Sequence, residues 1–174
     1  MSSSQKIKTA LERTTKALTL KPALGRDTKT STTRIRHGLT CDVQEGGWKF
    51  SVEMPAAVGG DSSAPSPGAY GRAALGSCLA IGYMMHAAKL GVPIQSLEVE
   101  VQCDFDDGVL LGVHDEVPPG YTEVRYTVTI ESDAPEKDIL RVIDEGDAHS
   151  PYLDVFARAQ SCKRNIKIVS PQQL

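Results

Sequence analysis

The sequence lacks the features that mark secreted, membrane-spanning and nucleic-acid-binding proteins. No apolar segment follows the first basic residues, so we predict no secretory signal. The uncharged apolar stretch between Arg72 and His86 has about 13 residues, where a membrane-spanning helix needs roughly 20. A net charge of -3 and an isoelectric point near 5.8 predict no basic surface for nucleic acid. We therefore expect a cytoplasmic protein without a nucleic-acid or membrane partner.

Cysteine is scarce, and its spacing favours neither disulfides nor a metal site. The chain has four cysteines and four histidines. They form no CxxC motif and no pair with the spacing of zinc ligands. Unpaired thiols of this kind are typical of the reducing cytoplasm. We predict no metal site and no cofactor.

Length and composition predict a single domain. A chain of 174 residues with 40% hydrophobic content is long enough for one substantial core and too short to require two. We assign this domain to residues 1–174, with residues 1–33 as an N-terminal extension and residues 34–170 as the core. Within the extension, residues 4–20 have the weak periodicity of a short amphipathic helix.

Residues 66–90 predict a buried central helix that carries one thiol, Cys78. Ser66 is a typical N-cap and Pro67 suits the first helical position, while Gly91 ends the pattern. Nearly every residue in between is apolar or small. We therefore expect other elements to cover this helix on most sides.

The segment before the central helix predicts a β-hairpin. Apolar residues alternate with polar ones over residues 35–43 and again over residues 48–54, on either side of a Glu-Gly-Gly turn. The alternation places His37 on the inner face, as a core or rim histidine rather than a ligand, and Glu53 on the outer face. Residues 55–67 are rich in Pro, Gly and Ser and predict a loop that either lines a pocket or serves as a connector.

The second half of the chain predicts strands and helices in the order of an α+β fold. Two alternating segments should pair with each other, and they are followed by two capped helices and a last strand. These elements are strands over residues 97–105 and 121–131, a helix capped by Asp133 and ended by Gly146, a short helix that begins at Ser150-Pro151, and a strand over residues 165–170.

Cys78 is the candidate nucleophile, but its position in the helix supplies no activation. A thiol reacts as the thiolate, which a cation, a hydrogen-bond donor or a helix N-terminus has to stabilise. Cys78 lies about three turns into the helix, beyond the reach of the N-terminal dipole. His86 follows about two turns later and is too far for direct contact, whereas His149 is a freer candidate. On the residues alone, an inert core cysteine stays open as the alternative.

Five short motifs together resemble those of the OsmC/Ohr family. Each motif is weak by itself, but their order and the order of predicted elements are similar to that family over residues 34–170. The motifs are Gly59-Gly60-Asp61, Pro65-Ser66-Pro67, Ala74-Leu75-Gly76-Ser77-Cys78, Asp106-Asp107-Gly108 and Ser150-Pro151-Tyr152-Leu153-Asp154.

The resemblance implies a fold, an assembly and a chemistry. It implies an intertwined α+β homodimer with the cysteine helices packed centrally, and a role in the response to oxidative or osmotic stress. It also implies reduction of small hydrophobic organic hydroperoxides by a thiol. In that reaction a peroxidatic cysteine, matched here by Cys78, attacks the peroxide, and a second cysteine resolves the sulfenic acid as a disulfide.

The other site residues of the family are not all present. Ser150 occupies the position of the resolving cysteine, and we keep it with His149 as candidate binding residues. The family's Glu falls on Gly68 or Ala69, and the loop expected to carry its activating Arg has no basic residue. The sequence offers other residues for these two roles. They are Arg34, Arg36 or Arg72 in place of the arginine, and Cys41, Cys103 or Cys162 in place of the second cysteine. Cys41, however, is predicted to be a small core residue.

Two functions fit these residues. The first is a one-Cys thiol peroxidase, in which an external thiol reduces the Cys78 sulfenate, and the retained thiol favours it. The second is a dimeric scaffold without peroxidase activity, whose apolar cleft beside Cys78 binds a small hydrophobic ligand or a partner. The missing Arg, Glu and second Cys favour this alternative, because an unactivated thiol stays protonated at neutral pH.

Overall fold

A three-stranded sheet, a long central helix and a two-stranded sheet follow one another in a computed structural model, which describes residues 2–170. This mixed architecture confirms the predicted α+β class. The elements are α1 (Ser3–Leu20), β1 (Ser31–His37), β2 (Thr40–Glu45), β3 (Trp48–Glu53), α2 (Pro67–Leu90), β4 (Ser96–Asp104), α3 (Asp107–Leu110), β5 (Glu123–Glu131), α4 (Glu136–Ala148) and α5 (Pro151–Ala157).

Helix α2 begins and ends where its sequence predicts. The Ser66 hydroxyl accepts a hydrogen bond from the Ala69 amide at 3.3 Å, and Gly91 ends the helix with a φ of 74°. One side of α2 packs on β4, α4 and α5 and forms the core. The expectation that most sides are covered is only partly right, because Ile81 on another side is 61% exposed. Although α2 is rich in apolar residues, neither it nor any other helix in residues 2–170 is both long enough and apolar enough to cross a membrane.

The two-stranded sheet confirms the predicted pairing of the second half. Strands β4 and β5 run antiparallel in continuous register from Ser96 opposite Glu131 to Asp104 opposite Glu123. Their apolar residues face α2, and Gly76 makes this contact close, because a Cβ there would lie 3.3 Å from a methyl carbon of Val101. The sheet therefore supports the middle of the cysteine helix.

A cluster of two tyrosines and an aspartate closes the core between α2, β5 and α4. Tyr83 is fully buried and donates to Asp147 Oδ1 at 2.6 Å, while Tyr126 donates to Asp147 Oδ2 at 2.9 Å. Burial, followed by the hydrogen bond to the Asp147 carboxylate, raises the pKa of both phenols. Both hydroxyls therefore stay protonated and act as donors.

Replacing Tyr83 with Phe should lower the free energy of unfolding by about 1–3 kcal/mol, because Asp147 Oδ1 loses its buried donor. Urea denaturation of the two proteins measures the difference. Tyr152→Phe is the matched control, since Tyr152 is 44% exposed. The control should change stability by less than about 0.5 kcal/mol. Equal losses in the two variants would contradict a stabilising role for the cluster.

Helix α4 differs from its prediction at both ends. It begins after Pro135, which makes no side-chain cap, rather than at Asp133. It also passes through Gly146 and ends at Ala148. Gly146 is buried against the Tyr83 ring, where a Cβ would approach a ring carbon to 2.3 Å. This glycine makes room for an aromatic ring and does not end the helix.

The N-terminal sheet corrects the prediction of a single strand over residues 35–43. The chain reverses at Gly38, which has a φ of 49°, and forms β1 and β2 on either side. A left-handed glycine permits such a tight turn. His37 therefore lies beside the turn with 59% of its side chain exposed, and not on an inner face. The second turn, at Gly46, is formed as predicted.

The strand predicted over residues 165–170 is not formed. After α5 ends, residues 159–170 have no regular structure and pair with no strand of the described chain. Ile166 and Ile168 are 65% and 91% exposed. Their alternation has the pattern of a strand, but a strand needs a neighbouring edge, and the sheets of residues 2–170 place none beside them.

Candidate functional site

Two helices meet at the thiol of Cys78. Helix α2 carries the half-buried cysteine, and the start of α5 supplies Ser150, which is 6% exposed. Cys78 Sγ and Ser150 Oγ are 3.5 Å apart, although the two residues are 72 positions apart in sequence. Ser150 Oγ also accepts from the Leu153 amide at 3.2 Å and thereby caps α5. That bond leaves the hydroxyl hydrogen free to be donated to the sulfur.

The other three cysteines occupy different parts of the chain. All four thiols are free, with Cys41 and Cys103 half-buried and Cys162 exposed. Burial raises the pKa of Cys103, and the positive charges of Arg72 and Arg125 offset part of that rise. Within residues 2–170, the side chain that forms a hydrogen bond with the Cys78 thiol is Ser150 and not a second cysteine.

The three candidate arginines lie on β1 and on α2. Arg36 pairs with Asp42 at 3.5 Å on the N-terminal sheet, and Arg34 lies on the same strand. Arg72 is on α2, but its charge acts on Cys103 in β4. Among the described residues, none of the three forms a hydrogen bond with the Cys78 thiol. Residues 2–170 therefore supply a hydroxyl and no hydrogen-bonded guanidinium to this sulfur.

His149 lies beside the thiol site but is not bonded to the thiol. Its Nδ1 donates to the Glu145 carbonyl oxygen at 2.8 Å, and its ring centroid is 5.5 Å from that of His86. His86 Nδ1 is buried and has no hydrogen-bond partner within residues 2–170. Burial lowers the pKa of His86, and the charges of Lys89 and His149 lower it further. The sequence gave no sign of this histidine pair.

Glu53, in the strand before the cysteine helix, is a residue that the sequence analysis misplaced. The alternation of β3 put it on the outer face, yet it is only 2% exposed. Its carboxylate accepts from Thr40 Oγ1 at 2.8 Å, the Asp61 amide at 2.9 Å, the Ser63 amide at 2.7 Å and the Ser63 hydroxyl. The hydrogen bond of the Ser63 hydroxyl, followed by those of the Asp61 and Ser63 amides, lowers the pKa of Glu53 to about 2.

The Glu53 cluster (Glu53, Thr40, Asp61 and Ser63) fixes the loop that leads into α2. The Glu53 amide also donates to the Pro65 carbonyl at 3.1 Å, directly before the N-cap of the cysteine helix. The loop is therefore anchored to β3 and is not a free connector. A sequence signal was available, because short hydrogen-bond donors follow the acidic residue within ten positions.

An open apolar groove runs along the exposed side of α2. It has a volume of about 460 Å³. Ile81 and Met85, which line it, follow Cys78 by about one and two helical turns. Other lining residues are Ile7 of α1, together with Ala80, Met84, Ile94 and Leu97. The cysteine helix thus presents apolar surface on the side that the core leaves uncovered.

Comparisons with known proteins place this arrangement in a family. The chain matches the family model described as OsmC-like protein over residues 59–164, which include Cys78 and Ser150. Its fold is similar to that of an OsmC like protein from Mycoplasma pneumoniae, with a TM-score of 0.65 and 14% identity over 75% of this chain and 88% of that chain.

Two further solved structures have a similar fold. An organic hydroperoxide resistance protein from Elizabethkingia anophelis has a TM-score of 0.56 and 16% identity, over 75% of this chain and 88% of that chain. An organic hydroperoxide resistance protein OsmC from Legionella pneumophila has a TM-score of 0.55 and 14% identity, over 75% of this chain and 89% of that chain. The search of curated proteins finds no match. Because the family model covers more than half of the chain, the protein belongs to the OsmC-like family.

Proposed function

We propose that the protein is a one-Cys thiol peroxidase that reduces organic hydroperoxides through Cys78. The observation that carries this proposal is the 3.5 Å contact between Cys78 Sγ and Ser150 Oγ, which places a hydroxyl that can donate to the thiolate beside a half-buried thiol. A donated hydrogen bond stabilises the thiolate, which is the reactive form. Membership of the OsmC-like family, and the hydroperoxide resistance proteins of similar fold, support the same chemistry.

The proposed reaction is balanced without a second cysteine. The Cys78 thiolate attacks one peroxide oxygen, so an S–O bond forms, the O–O bond breaks, and the leaving alkoxide takes a proton to become the alcohol. An external thiol then attacks the sulfenic sulfur and releases water, which leaves a mixed disulfide. A second external thiol restores Cys78 and leaves as the disulfide. The reaction consumes two thiols, and we propose the reducing cytoplasm as its compartment.

Hydroperoxide consumption with Cys78→Ser tests this function. Purified protein with excess dithiothreitol should consume cumene hydroperoxide, and the substituted protein should lose nearly all of that rate. Cys162→Ser is the matched control, since this exposed thiol lies outside the site and its removal should leave the rate unchanged. A wild-type protein that consumes no hydroperoxide, or an undiminished rate in Cys78→Ser, would reject the function.

We also propose that the protein forms a homodimer, and the exposed surface of the single chain supports this assembly. The chain alone has a solvent-accessible surface of 13269 Å². A compact monomer of this mass would have roughly 8,300 Å². Several large apolar side chains are exposed, including Trp48 at 79% and Ile168 at 91%. A second copy that covers these surfaces would form an interface of the obligate kind. If light scattering gives the mass of a monomer at micromolar concentration, the proposed dimer would be contradicted.

A ligand-binding scaffold is the second candidate function. The apolar α2 groove and the absence of a guanidinium bonded to Cys78 within the described chain favour it. This function predicts that the wild-type protein binds a fluorescent fatty acid and consumes no hydroperoxide. Ile81→Asp, which places a charge in the groove, should then abolish binding, whereas unchanged binding would count against the groove.

A further inference from the structure

We propose that the end of helix α1 and the turn after it bind an anionic lipid surface. At this tip, leucine side chains enter the interfacial region of the bilayer and basic side chains contact the lipid phosphates. The inference is independent of the proposed function, because binding to lipid requires no reaction of Cys78. We define the tip by three leucines and three basic residues, which are Leu18, Leu20, Leu24, Lys16, Lys21 and Arg26.

The charges of the chain are divided between the N-terminal extension and the rest. Residues 1–33 contain seven basic and two acidic residues, whereas residues 34–174 contain twelve basic and twenty acidic residues. The net charge of the whole chain, which predicts no basic surface, averages over this division. A helix that lies on a membrane also needs no apolar span, so the short apolar stretch of α2 does not bear on it. The extension therefore has the charge that an anionic surface attracts.

Helix α1 packs on α2 through its first half. Ile7 lines the α2 groove, and Leu11 lines a cleft that also contains Lys89 of α2. Both apolar side chains of α1 are half-buried, whereas every residue from 12 to 30 is exposed. Residues 2–170 therefore leave the second half of α1 uncovered.

The end of α1 and the following turn form one folded unit. The Lys21 amide closes the last turn of α1 with a hydrogen bond of 2.9 Å, and a 3₁₀ helix over Pro22–Gly25 follows directly. Leu18 lies against this 3₁₀ helix, because a Cβ on Gly25 would be 3.4 Å from a methyl carbon of Leu18. The side chains of the tip are therefore held together by local structure.

The tip combines exposed leucines with basic side chains. Leu20 and Leu24 are 71% and 64% exposed. Lys16, Lys21 and Arg26 form no ion pair within residues 2–170. Basic side chains are attracted to anionic headgroups, and apolar side chains gain free energy when they leave water. An anionic bilayer surface satisfies both sets of side chains at once.

A lipid surface fits the tip better than a groove on a protein partner. A helix that docks in a groove presents a stripe of apolar residues three or four positions apart. In α1 this stripe begins with Ile7 and Leu11, which are already half-buried where α1 packs on α2. The leucines that stay exposed lie at the end of the helix and in the turn after it. They can enter a bilayer while α1 keeps its contact with α2.

Cosedimentation with lipid vesicles tests the tip. Wild-type protein should bind vesicles made of equal parts phosphatidylcholine and phosphatidylglycerol, and it should be released as NaCl rises from about 0.05 to 0.5 M. It should not bind vesicles of phosphatidylcholine alone. Lys21→Glu combined with Arg26→Glu should weaken binding by more than about tenfold. Lys137→Glu combined with Arg141→Glu is the control, because both residues are exposed on α4 and the two variants have the same net charge. The control should bind as wild type does.

A second pair of variants separates insertion of the leucines from attraction between charges. Leu20→Ser combined with Leu24→Ser should weaken binding to the anionic vesicles by about tenfold. Leu110→Ser combined with Leu111→Ser is the control, because these leucines of the β4–β5 connection are exposed to a similar extent, and it should leave binding unchanged. Wild-type protein that does not bind the anionic vesicles would overturn the proposal. Equal binding by wild type and either tip variant would overturn it as well.

Two further outcomes would identify a different occupant and reject the lipid surface. If wild type binds no vesicles and the leucine variant of the tip has a lower mass by light scattering, the tip contacts a second copy of the chain. If wild type binds double-stranded DNA as tightly as vesicles and the leucine variant binds both normally, the tip is a general polyanion surface. Vesicle binding without hydroperoxide consumption would reject the proposed function and leave this inference standing. Circular dichroism checks that each variant is folded.

Discussion

Replacing Ser150 with cysteine is expected to convert a one-Cys site into a pair that forms a disulfide. The present oxygen lies 3.5 Å from Cys78 Sγ, so a shift of about 1.5 Å brings two sulfurs to bonding distance. One equivalent of cumene hydroperoxide should oxidise Cys78, and the new thiol should then attack the sulfenic sulfur and release water. Intact mass spectrometry should show the loss of about two mass units, with no such product from wild type.

Ser132→Cys is the matched control for this experiment. Ser132 donates to the Pro93 carbonyl, beyond the far end of α2, about 20 Å from Cys78. Oxidation of this variant should give sulfenic acid at Cys78 and no internal disulfide. The disulfide in Ser150→Cys would close a loop of about 70 residues and stabilise the protein by about 4 kcal/mol in the chain-entropy account. If the Ser150→Cys protein forms no disulfide after treatment with the hydroperoxide, this result would contradict the geometry of the site.

Replacing Glu53 with Gln is expected to lower the Tm by roughly 5–10 °C. Glutamine keeps the shape of the side chain, but its amide nitrogen is a donor, and Glu53 is surrounded by the donors of Thr40, Asp61 and Ser63. At least one buried donor then loses its acceptor. Hydrogen exchange of the amides of Asp61 and Ser63 should become faster at the same time.

Glu45→Gln is the control for Glu53→Gln, because Glu45 ends β2 on the same sheet and is exposed. It should change the Tm by less than about 2 °C. Similar losses in the two variants would show that removing a negative charge, and not breaking the Glu53 cluster, causes the effect.

The same cluster predicts a sensitivity to acid. The pKa of Glu53 is lowered from 4.5 to about 2, so the folded state binds fewer protons than the unfolded chain between these values. The stability that Glu53 contributes is fully present above pH 4.5 and is lost as the pH falls towards 2. The difference in Tm between wild type and Glu53→Gln should therefore narrow over this range.

Sequence reasoning succeeded where a few neighbouring residues determine the structure. The ends of α2 follow from Ser66, Pro67 and Gly91, and their signals act within one turn of the helix. The alternation in β4 and β5 also determines which residues face the core. These features could be predicted because each depends on local backbone geometry or on one apolar face.

The rest depended on contacts between distant parts of the chain. Glu53 is buried because donors from β2 and from the following loop converge on it, which the alternation of β3 alone does not show. Gly146 packs against the ring of Tyr83, 63 positions earlier in the chain, so this glycine does not mark the end of a helix. The contact of Ser150 with Cys78 was expected only from the family resemblance, since no spacing rule joins the two residues.

The anchoring of the N-terminal sheet has a consequence for the rate of assembly. Strands β1 to β3 bury little of their own surface. They are linked to α2 and its preceding loop by the Glu53 cluster, by the hydrogen bond from the Tyr70 hydroxyl to the Ser51 carbonyl at 2.9 Å, and by the contact of Phe50 with Tyr70. The core that surrounds α2 lies between residues 75 and 156 and can form within one chain. In the proposed dimer, the sheet would gain its remaining contacts only in a bimolecular step. Refolding should then end in a phase that accelerates with protein concentration, and newly made chains would pass through a state with an unprotected sheet.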